Sequence, residues 1–327
     1  MSMYPLLCAS SCLAVLSIAL LCGAVLRAGI FSALARCLGD EQLLRFPGAL
    51  FMLRVLPFAL ALLVTTALAL PSFLLLEPGN TTEVINPRLV VLAVMGAALF
   101  FVAVFRLLRV VGATREATRR WMRSANRLNM PGLAATVYLV EGEPGLFAVT
   151  GIFRTRIFVG REIFQALSQD EFIAAVQHEL AHVQARDNFR QLIMKITWPL
   201  LFGRLEKRIE RLWTISAELA ADHAALRSGV SALDLASALV RVARLAHIQT
   251  APAAQLAASH LIPQDSHGAI ALRVSRLSAR IQNDEPGPAR TSLPLWPAMI
   301  LAVVLAYAFF LGSLLPAAHK AIEIIVR

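Results

Sequence analysis

The stretch Ser168-Gln169-Asp170-Glu171-Phe172-Ile173-Ala174-Ala175-Val176-Gln177-His178-Glu179-Leu180-Ala181-His182-Val183 organises the reading of this 327-residue chain. Ser168 is a good helix N-cap, and Glu171 three residues on completes a capping box, so a helix is expected to begin at Gln169. Phe172, Ile173, Val176, Leu180 and Val183 recur at helical spacing and give that helix one buried face. Within it stands His178-Glu179-Leu180-Ala181-His182, an H-E-x-x-H pattern. Residues four apart lie one above the other on a helix, so both imidazoles can reach a single metal ion. The glutamate between them lies where it can take a proton from a water at that metal, which makes Glu179 the candidate general base. A shuffled chain of this composition would carry only about 0.006 such patterns, so chance is a poor explanation.

A catalytic zinc site needs a third protein ligand and one open position. Glu218, in Ser216-Ala217-Glu218-Leu219-Ala220-Ala221-Asp222, is well placed for it on a second helix expected from Leu205 to about Arg227 and ended by Gly229. Asp222 follows on the same face and can orient a ligand histidine through its outer nitrogen. One zinc per chain is therefore expected, although the donor set alone does not separate zinc from another divalent metal.

Upstream, Thr136–Val140, Leu146–Thr150 and Thr155–Val159 read as short strands broken by Gly142, Gly145 and Gly151. Ala113–Leu128 reads as a basic helix. Downstream, Pro286, Pro288, Pro294 and Pro297 mark a connector. The segment from Gly112 to about Arg290 is the one piece large enough for a core outside lipid.

The remainder is apolar. Mean hydropathy is +0.66 and the net charge is +10. Runs at about 4–26, 50–76, 89–111 and 295–315 are each long enough to cross a bilayer. Arg27, Arg36 and Arg45 lie between the first two runs with Arg54 near the start of the second, and seven arginines from Arg106 to Arg127 cluster at the end of the third run and after it. Glu77, Glu83 and a lone Arg88 lie between the second and third. The positive-inside rule places the first connection and the 112–290 segment in the cytoplasm, with both termini outside. The basic charge is thus assigned to topology and anionic lipid contacts, and direct nucleic-acid binding is not expected, since no aromatic interleaving or binding motif accompanies it. Cys8, Cys12, Cys22 and Cys37 have no metal-ribbon or redox spacing and read as packing residues.

The expected architecture is an α-helical integral membrane protein: three transmembrane helices in 1–111, a cytoplasmic α+β metallopeptidase domain in 112–290, and a fourth transmembrane helix with a short tail in 291–327. Gly151-Ile152-Phe153-Arg154-Thr155-Arg156-Ile157-Phe158-Val159, Asp170-Glu171-Phe172, the run His178 to Asn188, and Glu218-Leu219-Ala220-Ala221-Asp222 resemble the peptidase domain of BlaR/MecR-type membrane metallopeptidases, the antirepressor or sensor-transducer proteins of β-lactam resistance. The order of three spans, a zinc domain and a fourth span is also similar. The motif resemblance covers about Gly151 to Arg227. HtpX-like and CAAX-prenyl-type membrane proteases share the same gluzincin core.

The resemblance implies zinc ligation by His178, His182 and Glu218, general base catalysis by Glu179, and supporting roles for Asp222 and Asp187. It implies that the Thr155–Val159 strand is the edge on which an extended substrate pairs. It also implies a multi-pass protein of a bacterial-type inner membrane that cleaves a protein substrate, a transcriptional repressor being one candidate. The sensor-transducers carry a penicillin-binding domain after the fourth span. Only a short tail follows it here, so direct β-lactam sensing is not expected.

Other residues carry less. His223 points about a hundred degrees from Asp222 and reads as a packing or surface residue. His247, His260 and His267 are candidates for an oxyanion-binding group without a basis for choosing among them. Arg273 and Arg276 lie on an apolar helix pattern and could pair with acidic groups near the site, but they read first as a solvated helix face. Gln191–Gly203 reads as a buried helix or as a segment dipping into the membrane interface, with Trp198 at the headgroups.

Overall fold

The computed structural model describes residues 4–77, 86–128, 136–143, 145–151, 155–197, 203–247, 266–283, 315–321 and 323–324. The expected fourth span and its proline-rich connector lie outside the described residues, as do Trp198 and His260.

Among the described residues, three helices are long and apolar enough to cross a membrane. The first, α1 (Tyr4–Leu43), continues well past the apolar run and bends only at Gly39, whose φ is 72°. The second, α2 (Pro47–Val64), passes through a π-helical turn at Thr65–Ala69 into α3 (Leu70–Leu76). That turn falls between Pro57 and Pro71, where the helical ladder must rearrange. The third, α4 (Pro87–Arg123), is capped by Asn86. Arg27, Arg36 and Cys37 therefore lie on helix α1 rather than in a connection, which shrinks to the few residues around Leu44–Phe46. At Gly96 a side chain would collide with the Leu13 carbonyl of α1, and Ser17 Oγ donates to Leu92 O at 2.8 Å. Close approach through small residues is how helices associate where lipid offers no hydrophobic drive.

The expected basic helix 113–128 is corrected. Its first part is the end of α4, continuous with the third span, and after Ser124 the chain enters strand β1 (Ala125–Leu128). The sheet continues with β2 (Thr136–Val140), β3 (Phe147–Thr150) and β4 (Arg156–Gly160) in the order β1-β2-β4-β3. β2 and β4 are parallel, and the other two pairings are antiparallel. This overturns the edge-strand expectation: β4 is paired on both sides, and β1 and β3 are the edges. All four β3 residues are buried, so its side-chain pattern does not reveal an edge.

Short α5 (Arg161–Ala166) leads into α6 (Gln169–Ala185), whose capping box forms in full. Then come α7 (Asp187–Ile196), α8 (Gly203–Arg227), α9 (Ala232–His247) and α10 (Ser266–Asn283). One face of the sheet packs through Val149, Ile157 and Val159 on Phe172, Val176 and Leu180 of α6 and on Leu239 and Val242 of α9. The other face receives Ala117 and Trp121 from the end of α4, against Val140, Ala148 and Phe158. Helix α8 lies against the extension of α1 and the start of α2, where Ile209, Trp213 and Ala217 meet Phe31, Leu50 and Leu53. The membrane-type helices and the sheet domain thus share a packed boundary.

Candidate metal centre

Helix α6 carries its polar trio into its own buried face: His178 and Glu179 are fully buried and His182 nearly so. Three buried polar residues on one helix require partners. They come from three other elements. Glu218 and Asp222 project from α8, Asp187 from the first turn of α7, and Arg273 from the middle of α10. The turn that delivers Asp187 depends on Arg186 at φ 56°, which ends α6 and starts α7 at once.

His178 Nε2 and His182 Nε2 stand 3.2 Å apart. Glu218 reaches both, Oε2 at 3.4 Å from His178 Nε2 and Oε1 at 3.7 Å from His182 Nε2. The outer nitrogens are taken: His178 Nδ1 lies 2.9 Å from Asp222 Oδ1, and His182 Nδ1 lies 2.8 Å from Asp187 Oδ2. If each Nδ1 carries the proton it gives to a carboxylate, both Nε2 atoms present lone pairs to one point beside a third carboxylate. Without a metal, a proton on His178 and the Arg273 guanidinium, whose Nη2 lies 3.4 Å from His178 Nε2, offset that convergence. Two zinc–nitrogen bonds of about 2.05 Å at a tetrahedral angle would hold their nitrogens about 3.3 Å apart, close to the separation seen. The donor set therefore fits a zinc-type metal ion, and among the described residues it is the one such group of three.

The local electrostatics are those of a charged cluster removed from water. Burial lifts Glu179 to about 7, against the opposing pull of both imidazoles. Burial and then Arg273 push His178 down, but its bonds to Asp222 and Glu218 prevail and carry it up to about 9. Burial raises Glu218, and Arg273 with the two imidazoles more than reverses that, leaving it at about 2. Asp222 is likewise held far below the usual carboxylate range, with Arg273 the largest lowering influence.

Arg273 corrects the sequence reading of a solvated helix face. It is 1% exposed, with Nη1 2.7 Å from Glu218 Oε2, Nη2 2.7 Å from Asp222 Oδ1 and Nε donating to Asp222 Oδ2 at 2.8 Å. Its guanidinium fork thus ties the proposed third ligand to the carboxylate that orients His178. One sign was available: an arginine within the apolar run Ala269-Ile270-Ala271-Leu272-Arg273-Val274 needs an acidic partner if that run is buried. Arg276, by contrast, is half-buried and lies 3.9 Å from Glu41. His223 is half-buried and stands outside the metal group. The side chains of His247 and His267 lie outside the described residues.

These features define a buried candidate metal site, with an H-E-x-x-H pattern and a third carboxylate, on a helical scaffold with a small mixed sheet. Residues 113–206 match the model of Peptidase family M48. That stretch runs from the end of α4 through the sheet and both histidines, and it stops before Glu218, Asp222 and Arg273. The match supports a metallopeptidase of membrane type in general, without selecting the BlaR/MecR-type relatives. Neither the curated proteins nor the solved structures hold a match to the chain.

Proposed function

We propose that the protein is a zinc-dependent endopeptidase of a bacterial-type inner membrane, with His178, His182 and Glu218 as metal ligands, Glu179 as general base, and Asp222 and Asp187 as their supports. The carrying observation is the convergence of His178 Nε2, His182 Nε2 and the Glu218 carboxylate beside a buried Glu179. The Peptidase family M48 match adds weight, since such peptidases are typically zinc-dependent. When bound, zinc supplies a Lewis acid that polarises a carbonyl and acidifies water. Glu179, buried beside both ligand histidines, accepts the proton of the attacking water and returns it to the leaving amine. Asp222 and Asp187 hold the two imidazoles in the tautomer that keeps Nε2 inward. Arg273 keeps Glu218 and Asp222 ionised.

The substrate in this reading is a polypeptide at the cytoplasmic membrane surface, and the 112–290 segment is the cytoplasmic peptidase domain between three spans and a fourth. The BlaR/MecR resemblance adds a transcriptional repressor as the candidate substrate. A quality-control role of HtpX type would instead engage many membrane proteins. Glu179→Gln tests the chemistry: the variant should retain about one zinc per chain by elemental analysis and lose cleavage entirely. A fully active variant would refute the mechanism. A proteome comparison of the same pair tests the substrate class, since one or two stabilised regulators fit the first role and many stabilised membrane proteins the second. Phenotypic rescue by Glu179→Gln would instead mark a non-catalytic signalling module with a structural metal.

A further inference from the structure

Arg54 lies near the N-terminal end of the second membrane-type helix, 4% exposed, and its guanidinium grips two other helices at once. Nη1 donates to Thr197 Oγ1 at 3.0 Å, while Nη2 donates to the carbonyls of Thr197 at 2.9 Å and Met194 at 3.3 Å. These contacts close the C-terminus of α7. Nε lies 2.9 Å from Glu206 Oε2 in the first turn of α8. Arg27, in the middle of α1 where its apolar run ends, pairs with the other oxygen of Glu206, and all three charged side chains are buried.

The far ends of the same two helices carry the metal centre. Helix α7 begins with Asp187, which holds His182, about 14 Å from its Arg54-bound terminus. Helix α8 carries Glu218 and Asp222, the former about 18 Å beyond Glu206. A second tie on α8 lies two residues before Glu218, where Ser216 Oγ donates to Leu44 O at 2.5 Å in the connection between α1 and α2. Nothing about stability requires ions here. Apolar side chains of similar volume hold such a joint at least as well, whereas a buried ion pair fixes one register and breaks sharply when a partner moves.

We infer that Arg54 is a positioning residue for the metal centre: its guanidinium fastens α7 and α8 to the second membrane-type helix, so that a tilt of that helix shifts Asp187 and Glu218. This rests on the ligand assignment proposed above and on α2 lying in a bilayer. Arginine suits the role because its planar fork serves Thr197, Met194 and Glu206 together, which a lysine ammonium cannot do from the same place.

The test uses the full chain in lipid nanodiscs with short or long acyl chains, which force different helix tilts. The readouts are the zinc dissociation constant by chelator competition and kcat and KM on fluorescent casein. The wild type should differ at least about threefold in zinc dissociation constant and kcat between the two bilayers. Arg54→Lys should bind zinc about tenfold more weakly in both, with lower kcat, unchanged KM and no dependence on bilayer thickness. Arg161→Ala, which removes an exposed pair with Glu141 on neither α7 nor α8, should behave as wild type. Wild-type zinc affinity and kcat in folded Arg54→Lys would overturn the inference, and so would thickness dependence that survives the substitution. Should Arg54→Lys fail to fold, a wild type indifferent to bilayer thickness would overturn it equally. Glu218→Ala run in parallel separates the two levels, since zinc retained there would sink the ligand assignment itself.

Discussion

Glu179 shows how a single residue's surroundings shape its chemistry. Burial gives it a proton affinity near pH 7 in the metal-free protein, against an ordinary value of 4.5. The folded state therefore holds a proton that the unfolded chain has released, so stability falls as pH rises from about 4.5 through about 7 and is flat beyond. Metal-stripped wild type should accordingly lose up to about 3 kcal/mol relative to metal-stripped Glu179→Gln over that window. Melting both proteins at pH 5 and pH 7.5 measures the difference, and parallel shifts would contradict the burial argument. Asp187 is placed to act on the proposed metal through His182 rather than on the proton. Asp187→Ala should weaken zinc binding about 10–100-fold, because His182 loses the acceptor that fixes its tautomer. His178, Glu179 and His182 were legible in the sequence because their relation is local, set by one helix repeat. Glu218 and Asp222 followed from the same repeat and from the need for a third ligand. Arg273 stands 51 residues from Asp222, and only the packing of α10 on α8 brings the two together.

The elements were most legible where their signals are local. Helix α6 starts at the residue its cap predicts, because Ser168 accepts from the Glu171 amide at 3.2 Å and the Glu171 carboxylate accepts from the Ser168 amide at 2.8 Å. Glu171 also binds Ser237 and Arg241 of α9, so the cap fastens two helices. Ser168→Ala should cost about 1 kcal/mol of stability by removing the cap, with the zinc stoichiometry unchanged. A loss within error in chemical denaturation would show the cap to be redundant. Elements whose limits depend on distant partners were read less well. Nothing within Ala113–Leu128 marks Ser124 as the end of α4. The residues that follow become a strand because Ala125–Leu128 pairs with Val137–Val140. The position of β4 inside the sheet is likewise set by β3 folding back onto it, an event no side-chain alternation announces.

At the scale of the whole molecule, arginines drew the topology and three apolar helices agree with the expected spans, while the fourth expected span lies beyond the described residues. The orientation rests on charge alone and is open to a direct test. From Arg27 onward α1 extends about 25 Å beyond its apolar run, and this extension packs on α8 beside the metal centre. Cys37 lies on that extension and is exposed, whereas Cys8, Cys12 and Cys22 fall within the apolar run. A membrane-impermeant maleimide should leave Cys37 unmodified in intact cells and label it in inverted vesicles, with Cys37→Ala supplying the background from the other three. Because α1 and α8 share one packed boundary, the face on which Cys37 reacts is also the face of Glu218. Labelling from outside would therefore do more than invert a diagram. It would move the proposed peptidase site away from the cytoplasm, and a cytoplasmic repressor could no longer be its substrate.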